Sequence, residues 1–315
     1  KYPLKNFIVL VPEQFTMQTQ KDLVSMHPRH GIMNIDVLSF ARLAYRVFEE
    51  TGTKQMQVLD DEGKNLILRK IAGDYENKLT VLKGNIKKLG YISEVKSVIS
   101  EFTQYDIGEE EIDEMLDHLD EDSRLYYKLK DIRLLYEGFQ DYLRERYITK
   151  EELLDVLNSQ VKESELLKNS VVVLDGFTGF TPVQNRLILE LMRCCKEVWV
   201  TVTMDERENP YAYKHPYQLF GLSKQMITTL VRMAGEDHIE VEEPVCLYGY
   251  PVKRFEKNQE LAFLERNIFR YGSGRYDKAV ENLEIHAAGN PRQEADAVAE
   301  GIRRLVRKEQ YRYRD

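Results

Sequence analysis

Residues 171–184 read VVVLDGFTGFTPVQ and contain a strand, a turn and a helix start in direct succession. Val171 to Leu174 is an apolar, β-branched run without alternation, which is typical of a strand buried on both faces of a parallel sheet. Asp175-Gly176 is a common turn pair, and Thr181 to Gln184 has the pattern of a capped helix start with Pro at its first position. A carboxylate at the carboxyl end of such a strand lies where open α/β sheets bind ligands.

Similar patterns occur on both sides of this segment. Further strands are predicted at Phe7–Val11 (FIVLV), Met33–Leu38 (MNIDVL) and Val198–Val202 (VWVTV), the first and last of them buried. Helices are predicted at Glu13–Met26 and after Ser39, which can cap a helix with an apolar stripe at Leu43, Ala44 and Val47. This order of elements predicts an α/β fold with a parallel sheet.

The stretch between about residue 56 and residue 167 shows no strand pattern. Its apolar side chains repeat at helical spacing, at Ile92, Val95, Ile99 and Phe102 and again at Leu125, Leu129, Ile132, Tyr136, Phe139 and Leu143. Thr149 and Glu152 form a capping-box pattern ahead of another helix. The sequence therefore predicts one large, all-helical insertion into the sheet domain.

The remaining residues predict a connecting region at 208–280, with a helix around Ser223 to Met233, and then a new start. Leu283–Ala287 has the pattern of a strand, and Asn290 precedes a helix with an apolar stripe that we expect to be buried, formed by Ala295, Val298, Ala299 and Ile302. A second sheet that begins and stops, together with a first residue other than Met, suggests a truncated piece of a larger polypeptide.

Composition limits the chemistry that this chain can perform. The formal net charge is −8 and the pI about 5.5, so a contact with DNA would be local or shared with partner chains. The cysteines (Cys194, Cys195, Cys246) form no CxxC pair and the six histidines are scattered, so no metal site is expected. No apolar run reaches the about 18 residues of a membrane span and no signal peptide is visible, which predicts a protein of the reducing cytoplasm.

Two segments resemble motifs of superfamily 1 helicases of the UvrD/RecB kind. Asp175, Phe177 and Gln184 agree with the pattern strand–D–E–aromatic–Q–D–T–x–x–x–Q, whereas Gly176 replaces its second acid. The residues Ser39 to Arg46 (SFARLAYR) are similar to T–F–H–x–L–A–x–R, which contacts single-stranded DNA in those helicases. Each match has a structural alternative, since Asp175 can cap a turn, Gln184 can complete a capping box, and the segment from Ser39 can be a capped amphipathic helix.

Together with Val11–Thr16 (VPEQFT) and Asn290–Ala295 (NPRQEA), these segments resemble the AddB/RexB family across nearly the whole chain. The resemblance implies a RecA-like parallel sheet of the P-loop NTPase/superfamily 1 helicase type, here truncated. It implies that domain 1A consists of residues 1–55 and 168–207, interrupted by a 1B-like helical insertion at 56–167. It further implies a connecting region at 208–280 and the start of domain 2A at 281–315.

The same resemblance implies a function in bacteria: with an AddA-type helicase–nuclease subunit, in a heterodimer, such proteins process double-strand DNA ends for recombinational repair. The implied role of this portion is tracking along DNA, single-stranded or at a duplex end. The candidate DNA-contact residues are Gln14, Thr16, Ser39, Phe40, Arg42 and Arg46, and aromatic stacking on bases is considered for Phe15, Phe177 and Phe180. Asp175 and Gln184 are Walker B-like.

No complete active site is expected within the 315 residues. They contain no G-x-x-x-x-G-K-[ST] phosphate loop, so Asp175 could hold at most a weak metal, and no catalytic residue is assigned. The family's ATP and Mg²⁺ and its 4Fe–4S cluster are expected in parts outside this segment. One alternative is an inactivated, RecC-like scaffold that binds a partner helicase without touching DNA here; another, less favoured, is an autonomous ATPase.

Overall fold

The computed structural model describes residues 6–52, 57–86, 88–144, 147–270 and 274–313. Its strands are β1 (Asn6–Leu10), β2 (Ile35–Leu38), β3 (Gln57–Leu59), β4 (Tyr147–Thr149), β5 (Ser170–Leu174) and β6 (Glu197–Val200). Its helices are α1 (Thr16–Met26), α2 (Phe40–Thr51), α3 (Asp61–Asp74), α4 (Leu89–Gln104), α5 (Glu109–Asp117), α6 (Arg124–Leu143), α7 (Leu153–Gln160), α8 (Glu165–Lys168), α9 (Pro182–Cys194), α10 (Gly221–Glu236), α11 (Gln259–Asn267) and α12 (Pro291–Lys308). The chain divides into two compact units, Lys1–Glu243 and Pro244–Asp315.

The first unit is built on a parallel sheet with the strand order β2-β1-β5-β6. The predicted α/β class and parallel sheet are thereby confirmed. One face of the sheet is fully covered: its side chains Ile8, Leu10, Val172 and Leu174 are at most 1% exposed and pack in one cluster with α2, α7 and α9. Burial of each such side chain contributes about 1.5–3 kcal/mol, so this layer stabilises the domain.

The other face of the sheet is covered unevenly. Val9, Val173 and Trp199 are register partners on β1, β5 and β6; the two valines are half-buried, and Trp199 is 47% exposed. The prediction of a buried strand at Val198–Val202 is therefore wrong in part, because β6 is the last strand of the described sheet. A run of apolar residues indicates a strand but does not show whether a neighbour lies on both of its sides.

The insertion is mostly helical but not entirely so. β3 and β4 form a small parallel sheet, with Val58 opposite Ile148, where the sequence showed no strand pattern. Strands of three residues are too short for a periodic signal, and each depends on a partner far away in the sequence. A second apolar cluster, formed mainly by α3, α4 and α6, is the core of this region.

The stripe predicted on α6 is buried from Ile132 onward and not before it. Ile132, Phe139 and Leu143 are at most 6% exposed, whereas Leu125 is 58% exposed. The capping pair predicted ahead of α7 is present, since the Thr149 amide donates to the Glu152 carboxylate at 2.7 Å and the Glu152 amide to the Thr149 hydroxyl at 3.3 Å.

Charged contacts stabilise the insertion internally, through Lys64, and join it to the sheet domain, through Arg186. The ammonium of Lys64 is 2% exposed and donates to both carboxylate oxygens of Glu151, at 2.7 and 2.9 Å, and to Ser100 Oγ at 3.2 Å. Burial alone would raise the pKa of the Glu151 carboxyl, but the hydrogen bonds and charge of Lys64 outweigh it and hold that pKa below its usual range. Arg186 on α9 pairs with Asp106, which follows α4, and with Asp155 on α7.

The second unit differs from its prediction at two points. The segment Leu283–Ala287 is not a strand, and its Ile285 side chain is 91% exposed. The helix capped by Asn290 is present as α12, but the stripe expected to be buried is exposed, with Val298 at 58% and Ile302 at 45%. Both expectations assumed a second sheet, which would pair with this segment and cover the helix. The described residues of this unit contain no strand that could form such a sheet.

Candidate nucleic-acid interface

The carboxyl ends of the parallel strands bring the predicted site residues to one edge of the sheet. Neighbouring parallel strands end on the same side, so the segments that follow β1, β2 and β5 emerge next to one another. These segments contain Gln14 and Thr16 after β1, Ser39 and Arg42 after β2, and Asp175 after β5. Elements far apart in sequence thus form a common surface.

Asp175 at the tip of β5 is held by the neighbouring strand. Its carboxylate Oδ1 accepts a hydrogen bond from the hydroxyl of Thr201 at 2.6 Å, and its amide donates to the Leu10 carbonyl at 2.9 Å. The Gly176 amide donates to the same Thr201 hydroxyl at 3.4 Å. Thr201 was not singled out from the sequence; the available signal was a hydroxyl residue at the end of the VWVTV run.

The backbone at residue 176 accounts for the glycine that replaces the expected acid. Gly176 has a φ of 77°, in the left-handed region where a side chain is strained. A glutamate at this position would need a different turn after β5.

Gln184 is used at the start of α9. Its side-chain oxygen accepts from the Thr181 amide at 3.0 Å, and the Gln184 amide donates to the Thr181 hydroxyl at 3.4 Å. The predicted capping box is therefore confirmed. No hydrogen bond joins the side chains of Gln184 and Asp175 among the described residues, and a Walker B-like role for the pair stays a prediction.

Three of the candidate DNA-contact residues are buried. The Ser39 hydroxyl caps α2 by accepting from the Arg42 amide at 3.4 Å, and the Thr16 hydroxyl donates to the Glu13 carbonyl at 3.0 Å. Phe40 is 8% exposed and contacts the ring of Phe177, with 5.4 Å between ring centroids. These three side chains therefore make contacts within the fold, at the carboxyl edge of the sheet.

The aromatic candidates fall into two groups. Phe177 contacts Phe180 as well as Phe40, at 5.1 Å between centroids, and both Phe177 and Phe180 pack against the apolar cluster of the sheet. Phe15 in the short 3-10 turn after β1 is 49% exposed. Of the aromatic residues considered for base stacking, Phe15 is thus the most accessible.

The other candidate contacts lie on the surface. Gln14 is exposed, and Arg42 and Arg46 project from successive turns of the outer face of α2. Neither guanidinium forms an ion pair or hydrogen bond with another side chain in the described part of the chain. Tyr45, which the sequence analysis had not selected, is 42% exposed beside them. We refer to Gln14, Arg42, Tyr45 and Arg46 as the carboxyl-edge surface.

The described ranges hold dispersed metal-ligating side chains and two partly buried thiols. They contain no group of three or more His, Cys, Asp or Glu side chains placed to hold a metal ion. Burial raises the pKa of the Cys195 thiol to about 12, which keeps it protonated, and Cys194 Sγ contacts the Val161 carbonyl.

Because the 315 residues lack a phosphate loop, no step of ATP hydrolysis is assigned to Asp175. None of the described helices combines the length and apolarity needed to span a membrane.

Comparison with known proteins places the chain in a family. A family model described as "ADDB, N-terminal" matches residues 1–265. A protein of Lachnoclostridium phytofermentans, named as a subunit of an ATP-dependent helicase/deoxyribonuclease, is 43% identical over the whole chain. Proteins with the same name from Caldanaerobacter subterraneus and Clostridium kluyveri are 35% and 34% identical over 98% and 99% of the chain.

The match covers only part of these relatives. The chain spans 28% of the length of the first relative and 26% and 27% of the other two. Because the family model covers most of the chain and the relatives match nearly all of it, the chain belongs to the AddB family and corresponds to the family's N-terminal region.

Proposed function

We propose that this chain is the helicase-like, DNA-tracking portion of a subunit of an AddAB-type helicase–exonuclease, which processes double-strand DNA ends for recombinational repair in the bacterial cytoplasm. The partner is an AddA-type helicase–nuclease subunit in a heterodimer. The relatives named above are subunits of ATP-dependent helicase/deoxyribonucleases, which supports this assignment. ATP with Mg²⁺ and a 4Fe–4S cluster belong, in this proposal, to parts of the protein outside these residues.

The carboxyl-edge surface is the proposed contact with single-stranded DNA. The observation that carries this proposal is the pair Arg42 and Arg46, two exposed guanidinium groups without an ion-pair partner in the described chain, placed one helical turn apart. A planar guanidinium binds phosphate oxygens in a bidentate manner, and an unpaired one does so without first losing a protein partner. Tyr45 between them offers a ring on which a base can stack.

The buried candidates have a supporting role in this proposal. Ser39 caps α2 and Phe40 packs on Phe177, so they fix the direction in which α2 presents its arginines. Thr16 holds the turn that presents Gln14. Their side chains orient the contact surface, and the exposed side chains touch the DNA.

The experiment compares Arg42→Gln/Arg46→Gln with the wild type in the full-length protein, using a labelled single-stranded oligonucleotide over a salt series. If both arginines neutralise phosphates, the slope of log K against log salt falls by about 0.7 for each lost contact. Lys83→Gln/Lys128→Gln is the matched control, because it removes the same charge from exposed positions of the insertion. An unchanged slope for the arginine variant would refute the contact.

The same variant tests the scaffold alternative. The net charge of −8 favours a chain that binds a partner protein and not DNA. Lost DNA affinity with retained association of the partner subunit supports the DNA contact. Retained DNA affinity with lost partner association supports the scaffold.

A further inference from the structure

The last two turns of α12 carry a concentration of positive charge. Arg303, Arg304, Arg307 and Lys308 follow the spacing i, i+1, i+4, i+5, which places them on one side of a helix with 3.6 residues per turn. All four are exposed, and none forms an ion pair or hydrogen bond with a side chain of the described residues. We call these residues the α12 basic face. The chain as a whole has a net charge of −8, so the concentration is local.

The basic face lies opposite the apolar stripe of the same helix. The stripe consists of Ala295, Val298, Ala299, Ile302 and Leu305. The two sets lie about half a helical turn apart, so a layer that covers the stripe would leave the cations facing outward. Two exposed aromatic residues follow directly, Tyr311 at 51% and Tyr313 at 80%.

The helix dipole accounts for only half of the basic face, Arg307 and Lys308 in the last turn. Cations are favourable near a helix carboxyl terminus, but that effect is confined to the last turn and does not select one side. Three of the four residues are arginines, whose guanidinium groups match phosphate oxygens. Arginines with adjacent tyrosines are a common combination on surfaces that bind nucleic acid.

An anionic membrane is the other surface that a basic amphipathic helix could bind. The first half of α12 argues against it, because it carries Glu294, Asp296 and Glu300, which anionic lipids would repel. The apolar stripe includes two alanines and no Trp or Phe, so it offers little for insertion between lipids.

We propose that the α12 basic face binds the phosphate backbone of nucleic acid as a second contact of this protein. The contact goes beyond the proposed function, because it lies in the second unit and uses no residue of the carboxyl-edge surface. It needs no base-specific contact, and its affinity depends strongly on salt.

The test uses Arg303→Gln/Arg307→Gln in the full-length protein, because Gln maintains helix propensity and both positions are exposed. The probe is a labelled duplex with a single-stranded tail, titrated between about 50 and 200 mM salt. We expect affinity to fall by roughly tenfold and the salt slope to fall by about 2, one unit for each lost phosphate contact. Lys253→Gln/Lys257→Gln is the control in the same unit and should bind as the wild type does.

Equal affinity and slope for the arginine variant and the wild type would overturn the proposal. So would loss of binding to anionic phospholipid vesicles with unchanged DNA binding, which would assign the face to a membrane. Arg42→Gln/Arg46→Gln, measured in the same assay, separates the two DNA contacts. If Arg42→Gln/Arg46→Gln binds normally and Arg303→Gln/Arg307→Gln does not, the carboxyl-edge contact fails and the α12 contact stands. The reverse pattern overturns the α12 contact alone.

Discussion

Helices α2 and α12 have similar local sequences and different surroundings. Each begins with a capping side chain: Ser39 accepts from the Arg42 amide, and Asn290 from the Gln293 amide at 3.0 Å. Each has an apolar stripe. The stripe of α2 (Leu43, Ala44, Val47) is 0% exposed, whereas Val298 and Ile302 of the α12 stripe are 58% and 45% exposed. Capping and periodicity are thus sufficient for a helix and insufficient for its burial.

The same difference in the burial of apolar side chains distinguishes the first unit from the second. The described residues of the first unit form two apolar clusters, around the sheet and within the insertion. Among the described residues of the second unit, Ala262 is the buried hydrophobic side chain. Substitutions should therefore cost much more stability in the first unit than at matched positions in the second.

The largest effect is expected for Glu151→Gln. The change removes the nearer counter-charge of the buried Lys64 ammonium and leaves only the exposed Asp61 carboxylate at 3.9 Å, which should lower the free energy of unfolding by about 3–5 kcal/mol. Urea denaturation measures the loss. In the exposed pair Arg232–Glu236, Glu236→Gln should cost no more than about 1 kcal/mol. Similar losses at both sites would contradict the assignment of Lys64–Glu151 as a buried ion pair.

Leu43→Ala should have a comparable or slightly smaller effect. It removes a fully buried side chain from α2 and should cost about 2–5 kcal/mol in the same assay. Ile302→Ala on α12 is the matched change and should shift stability by less than about 0.5 kcal/mol. A large loss for Ile302→Ala would show that the α12 stripe is covered in solution, and the contrast between the helices would disappear.

Removal of a cap should have a moderate effect that differs between the helices. Ser39→Ala should cost about 1 kcal/mol in the unfolding of the first unit. Asn290→Ala should instead reduce amide hydrogen-exchange protection in the first turn of α12, with little change in global stability. If Ser39→Ala abolished DNA binding without loss of stability, the hydroxyl would be a direct DNA contact and not only a cap.

The smallest effect is expected from acidification of the buried Lys64–Glu151 pair. The pKa of Glu151 is lowered in the folded state, so its contribution is complete above the usual value of about 4.3 and is lost as the pH falls through the folded pKa. The stability difference between the wild type and Glu151→Gln should therefore shrink below about pH 4.3. A difference that is constant down to strongly acidic pH would contradict an ionised Glu151 in the fold.

Several features could be predicted from local sequence. The strands β1 and β5, the caps at Ser39, Thr181 and Asn290, and the helical character of the insertion are present as expected. Membership of the AddB family also followed from short motifs. These features depend on backbone hydrogen bonds, side-chain caps and apolar spacing within a few residues. A short segment of sequence is therefore enough to predict them.

Only the tertiary structure decided which side chains are covered and which distant residues meet. The pairing of β3 with β4, the hydrogen bond from Thr201 to Asp175, and the ion pair of Lys64 with Glu151 all join segments far apart in the chain. The exposure of Trp199 and of the α12 stripe depends on neighbours that no local pattern specifies. Burial depends on how the layers of the fold assemble. An apolar stripe shows only that a helix can be covered by another layer, not that it is covered.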